Sequence, residues 1–410
     1  MDASLQTRVN TCILYYMEYN PLAPDITRNP YPSYAFLRRE APIYRTPLGF
    51  LAVSRYDDVL AILRDPTRFS SAAMGDLVNQ VKSVSLDDAH QGGESLIGTD
   101  PPRHARLRKI VNRAFTPSRI AALEPRIREL TQELIQSIPE HRVWDLLPAL
   151  SVPLPVLVIS EILGIDISRQ SDFKRWSEEL IAAMAGPPGP ELIAALQKSG
   201  AERAVYLDDL VAEREIRPRG DVVSALVRAE HDDEVMTRGE IGNFIVLLLV
   251  AGNETTTHLI GNAILALLEE PERLAQVASD PSLIPAVVEE TLRYDTPVQL
   301  MLRRTREDVE LSGGKIDAGE TVAILLGSAN RDGQQFNDAE TFDMSRRDPR
   351  HLSFGLGTHF CLGAGLARLE ARIALETLLF RFPHLVLAGE VSRAMSLLTR
   401  GANSIPLRAE

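Results

Sequence analysis

From Tyr56 onward, apolar side chains mostly recur three and four residues apart, as in DVLAILRD, ARLRKIVNRAF and RIRELTQELIQSI. That spacing lines one face of a helix, so these segments predict amphipathic helices. Prolines at 153 and 155, at 187, 188 and 190, and at 218 punctuate the pattern. Between residues 239 and 270 one helical pattern continues without a break, apolar nearly all round in its first half. Such a helix belongs in the centre of a molecule. Two regions read differently. Residues 43 to 55 (IYRTPLGFLAVSR) alternate and predict a small strand pair, and after about Pro297 short strand-like runs are joined by turns at Gly313-Gly314 and Gly319. A last strand-like segment, MSLLTRGANSIPLR, closes the chain. Residues 71 to 97 are long and polar and read as a loop that orders on ligand binding. The whole predicts one mainly α domain over 1–410, with small peripheral β-sheets.

Composition narrows the function. Hydrophobic residues make up 45% and charged residues 24% of 410, an ordinary globular balance. A net charge of -12 disfavours a nucleic-acid partner. Two cysteines, Cys12 and Cys361, are too few for a disulfide framework and suit a reducing compartment. The N-terminal segment lacks the layout of a signal peptide, and the longest apolar run, Phe244 to Gly252, falls short of the roughly 20 residues a bilayer span needs. The expectation is a soluble, cytoplasmic protein, a monomer with no membrane contact.

The chemistry concentrates around Cys361. The segment Phe354-Gly355-Leu356-Gly357-Thr358-His359-Phe360-Cys361-Leu362-Gly363 precedes a strong helical pattern, AGLARLEARIALETLLF. A cysteine ahead of a helix N-terminus meets free amides and a dipole that favour the thiolate. Closely spaced glycines let backbone approach a flat, bulky group. An isolated cysteine near a helix is more often a small buried hydrophobe, but here the whole loop follows Phe-Gly-x-Gly-x-His-x-Cys-x-Gly. That pattern resembles the haem-binding loop of the cytochrome P450 family. Two lookalikes fail: Gly363-Ala-Gly365 lacks the third glycine and the βαβ setting of a dinucleotide site, and no paired His spacing supports zinc.

The resemblance runs from about Pro21 to Pro406, with the family's landmarks in order, and implies a P450 fold with haem b (iron protoporphyrin IX) between the long central helix and the cysteine-loop helix. Cys361 would be the iron ligand, with Phe354, Gly355, Gly363 and Ala251 against the haem. In the long helix, Ala251-Gly252-Asn253-Glu254-Thr255-Thr256 resembles the family's oxygen-activation motif. Thr255 would hydrogen-bond the dioxygen being activated or its water, and Glu254 would relay protons. Poor helix formers at this point also predict a local opening of the helix. The Glu290–Arg293 pair stands where the family has its structural ion pair, completed by Arg346. His104, Arg108, Arg303 and His359 would hold the haem propionates, with Arg304 the neighbour most easily confused with Arg303. Leu247, Val250, Ala251, Val298, Gln299, Leu300, Leu397 and Leu398 would line an aliphatic pocket suited to a lipophilic substrate.

The activity implied is monooxygenation: one atom of O2 enters a lipophilic small molecule by hydroxylation or epoxidation. Electrons would come from NAD(P)H through a reductase and a ferredoxin or flavodoxin. The run Arg103, Arg106, Arg108, Lys109 and Arg113 contains no acid and reads either as a solvated helix face or as a docking patch for an acidic donor. Two rival readings differ in kind. The same haem could serve desaturation or oxidative coupling without oxygen insertion, or a haem-thiolate protein could sense gas or carry electrons. The last has no need of Glu254 and Thr255.

Overall fold

The computed structural model describes residues 18–85, 95–185, 188–231, 234–347 and 349–410. Its largest sheet collects strands from both ends of the chain: β1 (Ile43–Arg45), β2 (Leu51–Val53), β3 (Phe69–Ser70), β4 (Leu300–Thr305) and β5 (Thr321–Leu325), in the order β1-β2-β5-β4-β3. The expected strand pair near residues 43 to 55 is antiparallel, Ile43 facing Val53, and β2 runs parallel to β5. The glycine turns also hold. Val309–Leu311 and Gly314–Ile316 form a hairpin, and Gly314 and Gly319 have φ of +128° and +85°, a region that suits only glycine well. At the end of the chain Ala402–Ser404 and Pro406–Ala409 are strands. Pro406–Ala409 pairs with Leu385–Leu387 and with Trp144–Asp145.

Helices make the rest of the body. The region read as a loop from residue 71 is instead a helix, α1 (Ala72–Ser85), followed after the undescribed 86–94 by a short 3-10 turn at Leu96–Gly98. The cause is legible in hindsight. Met74, Leu77, Val81 and Val84 lie three or four residues apart, and these side chains pack into two apolar clusters that outweigh the polar residues between them. Then come α2 (Arg103–Asn112), α3 (Glu124–Gln136), α4 (Pro153–Leu163), α5 (Gln170–Ala185) and α6 (Pro190–Ile216).

The long central helix is α7, Arg238–Leu268, opened by a capping box in which Thr237 and Glu240 bond each other's backbone amides. It packs against α4 and α5, against α8 (Ile284–Tyr294), and against α9 (Ala364–Arg381), the helix that follows the cysteine loop. Its composition would suit a membrane span, but 56% of its most apolar stretch is buried within the protein. The burial is uneven: Thr256 to Leu267 are buried throughout, whereas Val246, Leu247, Leu248 and Val250 to Gly252 are only partly covered or exposed. The most apolar half of the helix is therefore the less buried half, and part of it borders a cavity.

The predicted opening of α7 at Ala251–Thr256 does not occur, and the helix runs through unbroken. Thr255 Oγ1 donates to the Ala251 carbonyl one turn back, at 2.7 Å. That bond satisfies the hydroxyl without breaking the ladder.

Candidate active site

α7 forms one wall of a cavity and the loop leading into α9 forms the opposite wall; counted out to its solvent mouth, the cavity holds about 1510 Å³ of empty space. The loop wall is shaped by backbone. Gly355 and Gly357 have φ of +66° and +71°, and a Cβ on Gly357 would lie 2.8 Å from the Leu63 carbonyl oxygen, so glycine is required there twice over. The Cys361 amide donates to the Phe354 carbonyl at 2.9 Å, which folds the loop back on itself. Cys361 sits deep in the protein, yet its surface is accessible because it faces the cavity.

Burial pushes the Cys361 thiol up, offset in part by the Gly363 amide, by the Arg108 and Arg368 guanidiniums and by the Ala364 amide. The thiolate expected at this helix start is thus not favoured by the protein alone. A metal bound to sulfur would supply the missing stabilisation.

One rim of the cavity carries His104, Arg108, Arg303 and His359. The two imidazoles lie 4.1 Å apart between ring centroids. His359 Nε2 is 2.9 Å from the Ser71 hydroxyl, whereas His104 Nε2 has no hydrogen-bond partner among the described residues. Arg108 donates to the Phe360 carbonyl at 2.7 Å, and Arg303, among the described residues, to the carbonyl of Leu302 at 2.8 Å. Burial, then the neighbouring cations, hold His104 down at about 4 and His359 at about 3, and burial lowers Arg303 to about 10. Asp100, the acid opposing these shifts, is occupied by Ser70, Ser71 and Arg306. The only carboxylic acid among the cavity's described lining residues is Glu370, and burial raises it to about 8. Buried basic groups without a counter-ion are costly. A flat ligand bearing two carboxylates, with a metal presented to Cys361, answers every one of these features, so the residues fit haem.

Strand parity separates the two candidate arginines. Arg303 is buried and lines the cavity, while Arg304 points the other way and pairs with Asp76 at 2.9 Å. Parity likewise puts Met301 on the lining and removes Leu300, which is buried with Leu302 and Leu325 in a separate cluster.

On the α7 wall the lining residues are Phe244, Leu247, Leu248, Ala251, Gly252, Thr255, Thr256 and Leu259. Glu254 is not among them. Its Oε1 lies 3.4 Å from Nε2 of His258, one turn on. Among the expected pocket residues, Leu247, Ala251 and Val298 line the cavity, but Val250, Gln299, Leu300, Leu397 and Leu398 do not. Val250 packs onto the cluster of Val81, Leu180, Ala183 and Leu196, and Leu397 and Leu398 join the cluster under β4. Gln299 accepts from the Tyr34 hydroxyl at 3.1 Å and donates to the Thr296 carbonyl at 2.8 Å. In each case a long-range packing partner captures the side chain. His258 and Glu370 had no signal beyond being polar residues in apolar helices.

Behind the cysteine loop, Glu290 and Arg293 form a buried bidentate pair at 2.7 and 2.9 Å. Arg293 also donates to the carbonyls of Asn330, Ala339 and Thr341. Arg346 joins the pair, its Nε 3.4 Å from Glu290 Oε2. The basic run on α2 is less bare than its sequence suggests. Arg103 and Arg106 both meet Glu240 of α7, Arg108 turns to the cavity, and nearby Arg368 pairs with Glu289 at 2.6 Å.

Known proteins share this fold. A cytochrome P450 family model matches residues 203–400. The chain is 38% identical over 399 residues to 6-deoxyerythronolide B hydroxylase of Saccharopolyspora erythraea, covering 93% of this chain and 96% of that protein. Among solved structures, cytochrome P450 CYP109Q5 from Chondromyces apiculatus is 42% identical with a TM-score of 0.85, covering 95% of this chain and 98% of its own. CYP109E1 from Bacillus megaterium in complex with testosterone is 37% identical with a TM-score of 0.83, over 93% and 99% of the two chains. With likeness of that extent on top of a cysteine wall, a cationic rim and a central helix in the family's order, the chain belongs to the cytochrome P450 family and is an oxidoreductase of its monooxygenase kind.

Proposed function

We propose that the protein binds haem b through Cys361 and inserts one atom of dioxygen into a neutral, lipophilic small molecule, by hydroxylation or epoxidation. Per turnover, dioxygen, two electrons and two protons convert the substrate to its oxygenated product and one water. The electrons derive from NAD(P)H and arrive through a ferredoxin or flavodoxin with its reductase, which docks near Arg108 and Arg368; the setting is the cytoplasm.

The observation that carries the reading is the cavity itself: an accessible, buried cysteine opposite Thr255, with basic groups lacking a counter-ion at one rim. Haem, when bound, supplies the iron at which dioxygen is activated. The chain's residues do the rest. The Cys361 sulfur holds the iron and accepts hydrogen bonds from the Gly363 and Ala364 amides. His104, Arg108, Arg303 and His359 hold the two propionates. Leu247, Leu248, Ala251, Val298 and Met301 exclude water and bind apolar surface. Thr255, whose hydroxyl donates to the Ala251 carbonyl, would offer that hydroxyl to dioxygen, and Glu254 would supply the proton it passes on. The absence of charge from the described α7 lining favours a neutral substrate, in keeping with the relative solved with testosterone.

The test is the Soret band of the dithionite-reduced, carbon monoxide-treated protein. A strongly red-shifted band in the wild type, lost in Cys361→His, is the expected result. A band typical of histidine or neutral thiol ligation in folded wild-type protein refutes the assignment. Product mass then separates oxygen insertion from desaturation or coupling, which add no oxygen.

A further inference from the structure

We infer that His258 is a positioning residue for Glu254: it holds that carboxylate in a resting place beside the cavity, from which Glu254 swings to serve Thr255. The inference rests on the proton-relay reading of Glu254 above and adds to it the residue that governs the carboxylate.

Four observations carry it. Glu254 and Thr255 are adjacent on an unbroken helix, so their side chains diverge by roughly 100° around its axis. Thr255 lines the cavity and Glu254 does not. His258 is four residues beyond Glu254, on the same face, and only 5% of it is exposed. Its Nε2 is 3.4 Å from Glu254 Oε1, yet among the described residues neither ring nitrogen has a hydrogen bond of good geometry. Buried imidazoles normally complete such bonds. This one stops just short, so a small rotation of the Glu254 side chain makes the contact or abandons it.

The ring is backed on one side by main chain. His258 lies flat on Gly401 of the C-terminal segment, where an added Cβ would stand 1.8 Å from Nδ1. The imidazole is thus the buried, packed member of the pair, and Glu254 is the less covered one. This arrangement also explains why a glycine is needed at 401, where φ falls outside the left-handed region.

Two measurements on the haem-loaded protein test the inference. The first is spectroscopic and independent of turnover. In histidine-labelled protein in its reduced, carbon monoxide-bound form, at one fixed pH, the His258 imidazole nitrogen signals are assigned by their disappearance in His258→Gln. In Glu254→Gln they are expected to move, and unchanged signals overturn the inference. The second is the product formed per reductant consumed. His258→Leu and Gly401→Ala, which displaces the ring, are expected to lower it several-fold with substrate Kd unchanged. His258→Gln, whose amide can still donate to the carboxylate, is expected to restore most of it. If Glu254→Gln uncouples while His258→Leu and Gly401→Ala couple as the wild type does, Glu254 keeps its role and His258 loses the one inferred here. If Glu254→Gln couples normally, the relay reading falls and this inference falls with it.

Discussion

The two walls of the cavity are built on different principles. On the cysteine wall, Phe354, Gly355, His359, Cys361 and Gly363 are near neighbours in sequence, and each one borders the cavity. Their placement follows from local backbone: two left-handed glycines, a turn closed between Cys361 and Phe354, and the start of α9. On the substrate side, the walls come from α7, from the strand entering β4 and from segments near residues 96 and 115, far apart in sequence. There, three of the eight expected pocket side chains line the cavity, four are drawn into other clusters, and Gln299 is held by hydrogen bonds to Tyr34 and Thr296. The cysteine wall is thus a local motif with little freedom, and the wall facing it is a product of long-range packing. Changes on the first should act on folding, ligation and catalysis. Changes on the second should act on which molecule binds and how tightly.

The strongest way to break that contrast lies behind the cysteine wall. Arg293→Leu leaves the buried Glu290 carboxylate with Arg346 and the Asp343 amide in place of its bidentate partner, and removes donors from three carbonyls. Breaking a buried pair in this way costs about 3–5 kcal/mol, so the variant should lose haem and most of its denaturant resistance. Normal haem content and an unshifted urea midpoint would contradict the structural role.

Thr255→Ala follows in size. It removes a hydroxyl from the cavity without touching the core, so folding and the carbon monoxide spectrum should persist. Product formation should fall by roughly 10²-fold, the scale of a lost proton-transfer group, while reductant continues to be consumed and hydrogen peroxide is released. Unchanged coupling would remove Thr255 from the mechanism.

The cationic rim makes a prediction for the haem-free chain. His104 is held at about 4, against an ordinary value of 6.5, by burial and then by Arg108, with Arg303 adding to the effect and Asp100 opposing it. The unfolded chain therefore binds more protons in this window, so stability is complete above 6.5 and is lost as pH falls toward 4. His104→Gln should flatten that loss, measured as urea midpoints at neutral and acidic pH. Haem propionates reverse the local field, so the loaded protein should be less sensitive. Equal pH dependence in both forms would argue against contact between His104 and the propionates.

The smallest effect sharpens the substrate side. Leu247 lines the cavity and Val250, less than one turn away, packs outside it. Leu247→Ala should weaken an apolar substrate by about tenfold, near 1.4 kcal/mol, read from the spin-state shift. Val250→Ala should leave that affinity alone and cost about 1 kcal/mol of stability instead. Equal effects on affinity would mean that the cavity extends behind α7.

Taken alone, the sequence determined the class of the fold, the central helix, the strand pair near its start and the contiguous cysteine loop. All of these depend on interactions between residues close in the chain: periodicity, turn chemistry and backbone freedom. Even Glu290 and Arg293 are neighbours on one helical face, although only the fold shows that they are buried and joined by Arg346. Tertiary structure alone decided the remainder. It buried the apolar face of Ala72–Ser85, whose helical spacing the sequence carries, in clusters with β4 and α5. It turned Arg303 inward and Arg304 outward by the register of β4 against β5, which pairs Arg303 with Val322 and Arg304 with Thr321. It also pressed Gly401 against His258, residues separated by the whole of the cysteine loop. Side chains settle where distant segments leave them room, and no local pattern records where that room will be.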